Sequence, residues 1–140
     1  MTIEEVQNDI INEFEPLEDW MDRYQLIIEM GGQLEEMPQE YKTQEFLIEG
    51  CQSRVWIKPE VRDGKIFFYG DSDAIIVKGI VSLLFRVLNN RTADEILNSE
   101  LFFIDSIGLK EHLSPTRSNG LVSMLKQMKL YAFGINQTKS

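Results

Sequence analysis

Apolar residues recur at helical spacing from the first positions of the chain. Ile3, Val6, Ile10 and Phe14 fall on one face, and Thr2-Ile3-Glu4-Glu5 is a capping-box sequence in front of them. The spacing predicts a helix that stops before Pro16. Trp20, Tyr24, Ile27 and Ile28 predict a second helix, closed at Gly31-Gly32 by glycine in the left-handed conformation. Gln33 to Thr43 hold Pro38 and few periodic apolar residues, which reads as a polar connection over the surface.

From Phe46 the pattern changes to strand type, with runs at Phe46-Leu47-Ile48, Arg54 to Val61 and Lys65 to Tyr69, the last two joined by an Asp63-Gly64 turn. Between the first two runs lies Glu49-Gly50-Cys51-Gln52-Ser53, so Cys51 is expected on a connection and not within a strand. After Gly70-Asp71-Ser72-Asp73 comes a helix whose only polar stripe is Lys78, Ser82 and Arg86, which predicts burial on its other sides through Leu88. Gly70 to Asp73 is expected to cap that helix.

Thr92-Ala93-Asp94-Glu95 is a second capping box opening a short helix, and Phe102 to Leu109 are expected to add a turn or two. Ser114-Pro115 opens a long last helix through Leu121, Met124, Leu125 and Met128, with the tail after Gly134 expected to fray. Helices at both ends and a short run of strands between them predict an α+β fold, a small antiparallel sheet with helices packed on one face.

The length of 140 residues fits one domain spanning 1–140. The net charge of -9 argues against a surface built to neutralise nucleic-acid phosphates. Cys51 and His112 are the only residues of their types, which excludes an intramolecular disulfide and a structural zinc site of Cys and His ligands. The acidic start lacks the n- and h-regions of a signal peptide, and the longest apolar stretch, Ala74 to Phe85, is broken by Lys78. A cytoplasmic protein without a membrane partner is expected.

A lone cysteine is most often inert packing. Here small or polar neighbours, Gly50, Gln52 and Ser53, place the thiol on a loop, and Arg54 is expected to favour its thiolate. A Cys51–His112 pair oriented by Asp71 or Asp73 is one catalytic arrangement, the basis of a Cys-dependent hydrolase or thiol peroxidase; against it stands His112 as a capping or packing residue before Pro115. Gly70 to Asp73 lack the further ligands of a calcium loop. Trp20, Tyr24, Met21, Met30, Met124 and Met128 read as core or rim packing. Lys78 belongs to its polar stripe, and no glycine loop for a phosphate precedes a helix, so neither a cofactor nor a metal is assigned.

Three blocks taken together resemble the SufE family of sulfur acceptors: Gly50-Cys51-Gln52-Ser53-Arg54-Val55-Trp56, Gly70 to Gly79 (GDSDAIIVKG), and His112 to Leu121 (HLSPTRSNGL). With Trp20, Tyr24 and Gly31 the similarity covers nearly the whole chain; Arg54 and the segment around Phe102-Phe103 depart from it. The resemblance implies an α+β fold shared with IscU-type scaffolds. It implies a carrier that takes persulfide sulfur onto Cys51 from a pyridoxal-phosphate cysteine desulfurase (SufS-like) and passes it to an iron-sulfur scaffold (SufB-like). The pyridoxal phosphate belongs to the partner. Asp73, His112 and Arg117 are the candidate supporting residues, and Gly50, Gln52 and Ser53 the candidate active-site loop, expected to tuck the sulfur into a hydrophobic recess. A noncatalytic module that only stimulates the desulfurase is the remaining reading.

Overall fold

The computed structural model describes residues 1–138, and its chain starts as its sequence patterning demands. Helix α1 (Ile3–Phe14) opens on a complete capping box between Thr2 and Glu5, and buries Gln7, Ile10 and Phe14. Helix α2 (Trp20–Gly31) is capped by the Asp19 carboxylate on the Met21 N–H. The left-handed closure expected at Gly31-Gly32 is not used, since Gly32 has φ -67°. The glycine serves packing instead: a Cβ on Gly31 would lie 2.9 Å from the Gly79 backbone nitrogen.

Strands β1 (Val55–Arg62) and β2 (Lys65–Ser72) form a two-stranded antiparallel hairpin. Asp63 (φ 51°) and Gly64 (φ 78°) close it, the positive dihedrals of a two-residue turn whose twist suits the strands. The expected third strand at Phe46–Ile48 is reduced to a single bridge, Leu47 to Trp56, after a 3-10 turn at Gln44–Phe46. Gly50 at φ 89° turns the chain away just beyond it, leaving no length to extend the pairing. Val55, Ile57, Ile66 and Phe68 are buried on the inner face. Across the outer face lies the Gln33–Thr43 connection: Met37 is buried, Lys58 sits 4.5 Å above the Tyr41 ring, and Lys42 pairs with Asp71 at 2.6 Å.

Helix α3 (Ile75–Leu88) is buried except along the Lys78, Ser82 and Arg86 stripe and at its first turn. Gly70, Asp71 and Ser72 prolong β2, and the N-cap of α3, Ala74, makes no side-chain cap bond; of the expected capping only the Ser72 hydroxyl contributes, accepting the Ala74 N–H at 3.2 Å. The carboxylates are spent on pairing: Asp71 reaches Lys42 and Lys78, and Asp73 reaches the Arg54 backbone. Burial pushes the Asp71 carboxyl up, but hydrogen bonds from Lys42 and the Ser72 N–H, with the Lys78 and Lys42 charges, hold it below the ordinary carboxylate value.

Helix α4 (Ala93–Leu97) has the second capping box, Thr92 with Glu95. Two single turns, α5 (Phe103–Ser106) and α6 (Leu109–His112), meet at left-handed Gly108. Helix α7 (Pro115–Thr138) follows Ser114, whose hydroxyl accepts the Arg117 N–H. The expected fraying after Gly134 is not seen, as helix continues through Thr138; Lys139 and Ser140 lie outside the described residues. One core cluster joins all of this, from Ile10 and Phe14 through Ile57, Leu84 and Phe103 to Met128. Met21, by contrast with Met30, Met124 and Met128, is 72% exposed and lies on the rim. No helix among the described residues is long and apolar enough to cross a membrane.

Candidate functional site

Cys51 sits on the loop between Ile48 and β1, half-buried. Two fastenings hold that loop. On one side Gly50 presses on α7: at φ 89° it occupies a conformation other residues resist, and a Cβ there would lie 2.6 Å from the Ser123 Oγ. On the other, the Asp73 carboxylate accepts the Arg54 N–H (3.0 Å) while the Asp73 N–H donates to the Arg54 carbonyl (3.2 Å). The loop is thus strapped to the end of β2 and to α7 at once.

The thiol donates to the Gly120 carbonyl at 3.6 Å and faces a recess between α3 and α7. Val77 and Ile80 of α3 and Met124 of α7 form its apolar walls, with Thr116 and Arg117 beside Gln52 and Ser53 of the loop. The recess holds about 20 Å³, near the room of a single water. Gly120 keeps it open, since a Cβ there would stand 3.4 Å from the sulfur.

Burial pushes the Cys51 thiol above its ordinary pKa. This corrects the expectation that Arg54 favours the thiolate: Arg54 is exposed and contributes a backbone N–H and a carbonyl, not its charge. Iodoacetamide alkylation of the free protein is therefore expected to be slow at pH 7 and to keep accelerating as the pH rises through and beyond the ordinary thiol range, the opposite of an activated thiolate. Asp73→Ala removes one strap, lowering the cost of loop opening by about 1 kcal/mol, and should speed alkylation about fivefold at pH 7. An unchanged rate would show that the strap does not govern access.

The Cys51–His112 pair is not assembled. His112 stacks on Trp20 (3.8 Å between centroids), its Nδ1 contacts the Gly108 carbonyl at 3.1 Å, and it does not line the recess. Asp71 is engaged by lysines and Asp73 by the loop, so neither orients the imidazole. The packing reading of His112 is the one its contacts match, and Tyr24 adds a hydroxyl bond to the His112 carbonyl (2.6 Å). Among the candidates, Gln52, Ser53 and Arg117 lie around the sulfur, Gly50 and Asp73 hold its loop, and His112 stands apart.

Val77, Ile80, Thr116, Gly120 and Met124 were not singled out as site residues. Their spacing carried a signal: Thr116, Gly120 and Met124 follow at i, i+4 and i+8 on one helix face, Val77 and Ile80 at i and i+3 on another.

Residues 8–132 match the SufE family, described as an Fe-S metabolism associated domain. The chain belongs to the SufE family. It is 40% identical over 130 residues to an uncharacterized SufE-like protein of Rhizobium meliloti (strain 1021), an alignment covering 89% of this chain and 93% of that one. In fold it resembles the solution structure of a hypothetical protein from Thermus thermophilus, with a TM-score of 0.76 at 21% identity, covering 92% of this chain and 94% of that one. Membership of the SufE family places the chain in iron-sulfur metabolism with a sulfur-acceptor role.

Proposed function

We propose that this SufE-family chain is a cytoplasmic sulfur carrier, taking persulfide sulfur onto Cys51 from a cysteine desulfurase and handing it to an iron-sulfur scaffold. One observation carries the reading: the chain's lone thiol lies on a doubly strapped loop against an apolar recess with room for about one more atom. A persulfide adds one sulfur to the cysteine, and oxidants and small thiols would strip it in open solvent.

In the transfer, the Cys51 thiolate attacks the terminal sulfur of the donor's persulfide. A sulfur-sulfur bond forms on Cys51, the donor's breaks, and the donor cysteine leaves as a thiolate, with no net oxidation. The Cys51 proton departs to solvent before attack, and burial opposes that loss. Turning the loop outward on docking therefore does two things at once: it exposes the sulfur and lowers the cost of ionising it. Arg117, exposed at the mouth of the recess, supplies a positive charge to the persulfide anion, while Asp73 sets the loop's resting position. We assign no role at the sulfur to His112.

Intact mass tests the reading. Incubation with a purified desulfurase and cysteine should add the mass of one sulfur atom, removable by dithiothreitol. Oxygen adducts appearing with peroxide as the only efficient modification would point instead to peroxidase chemistry.

A further inference from the structure

Helix α7 contains no Asp or Glu over its 24 residues, although the chain carries a net charge of -9. Its charges are Arg117, Lys126 and Lys129. The thiol uses the face bearing Thr116, Gly120 and Met124. A different stripe turns Val122 (52% exposed), Leu130 (52%) and Phe133 (53%) to solvent. Together with Leu97 of α4 and Leu125 they line a groove of about 550 Å³, with Lys126 and Lys129 as its polar groups. Lys129 is held by a hydrogen bond to the Ser99 carbonyl, a neutral acceptor that leaves its charge uncompensated there. Large apolar side chains gathered at this exposure on a soluble face mark an interaction site, and scattered single ones do not.

We propose that the α4–α7 groove docks an amphipathic helix of a partner protein whose apolar stripe is flanked by carboxylates. The groove's length along α7, from Val122 to Phe133, spans about three helical turns, enough for anchors at i, i+4 and i+7. The two charges lining the groove, Lys126 and Lys129, are both cationic and select the sign of the partner, while Glu45 and Glu49 lie on the far side of Lys126 in the adjoining cavity. The same charges disfavour a second copy paired α7 to α7, which would gather the Lys126 and Lys129 of both copies in one apolar seam without a carboxylate from either helix. The groove is independent of the sulfur chemistry, and its occupation leaves the Gly120 face free.

The probe is a labelled synthetic helix with leucines at i, i+3, i+4 and i+7 flanked by glutamates, titrated against the full chain by fluorescence anisotropy. A matched peptide with lysines for glutamates is the control. The Glu peptide should bind at least about tenfold more tightly than the Lys peptide, and Leu130→Ser/Phe133→Ser or Lys126→Glu should each weaken it about tenfold or more. Both variants alter exposed side chains, and circular dichroism checks that they fold. Equal binding of the two peptides, no binding, or binding unaffected by the variants overturns the proposal. So does a dimer in sedimentation that these variants dissolve, which makes the occupant a second copy, or adsorption to phosphatidylserine vesicles in place of peptide binding, which makes it a membrane.

Discussion

Cys51→Ser should acquire no sulfur from a desulfurase charged with cysteine, a fall of at least about a hundredfold below the detectable adduct of the parent chain. The serine hydroxyl does not ionise at working pH and forms no stable bond of the required kind to sulfur, so acceptance ends at the attacking atom. The fold should survive. The thiol is half-buried and makes one long hydrogen bond, to the Gly120 carbonyl at 3.6 Å, which a hydroxyl can also make. Urea denaturation should place the variant within about 1 kcal/mol of the parent. Sulfur found on the variant by intact mass would end the assignment of Cys51. Undiminished stimulation of a desulfurase by the variant would favour a noncatalytic module.

The largest expected loss of stability lies elsewhere, at Gly79→Ala. In an exposed helix this exchange stabilises by about 1 kcal/mol. At Gly79 the new Cβ would sit 2.1 Å from the Ile27 carbonyl oxygen and 2.5 Å from its Cγ2, and Ile27 is fully buried. A backbone carbonyl inside a helix cannot rotate away, so α2 as a whole must shift. Overpacking of this kind costs about 1–3 kcal/mol, and a backbone clash belongs at or beyond the upper end. The net expectation is a loss of about 2 kcal/mol or more, read from the urea midpoint. Gly134→Ala is the control, because nothing lies within 4 Å of its Cβ, and it should stabilise. A neutral Gly79→Ala would mean that the two helices are not in the contact described. The variant also bears on the site: Gly79 lies between Val77 and Ile80, the α3 wall of the sulfur recess.

What could be read in advance follows from how far each effect reaches along the chain. The capping boxes at Thr2 and Thr92, the Asp63-Gly64 turn and the three-residue polar stripe of α3 are local, and the folded protein has them where the pattern put them. Gly70 to Asp73 misled because a cap and a strand end draw on the same small polar residues. The choice fell to Lys42 and Lys78, which hold Asp71 from two other elements. The motif blocks located Cys51 and its loop, but proximity in a block is not proximity in space. Arg54, three residues from the thiol, contributes only its backbone, and His112, in the same block as Arg117, turns to Trp20.

The amino-acid sequence alone determined the α+β class, the family, and the presence of a single thiol on a turn of small residues. The tertiary structure decided what surrounds that thiol. Val77 and Ile80 from α3 and Gly120 and Met124 from α7 are brought to it where these two helices flank the Cys51 loop, and α3 is itself seated on α2 where Gly31 and Gly79 meet backbone to backbone. The physical reason is desolvation: whether a sulfur is kept protonated and shielded depends on how many atoms crowd it from distant parts of the chain, and local sequence has no means of stating that number.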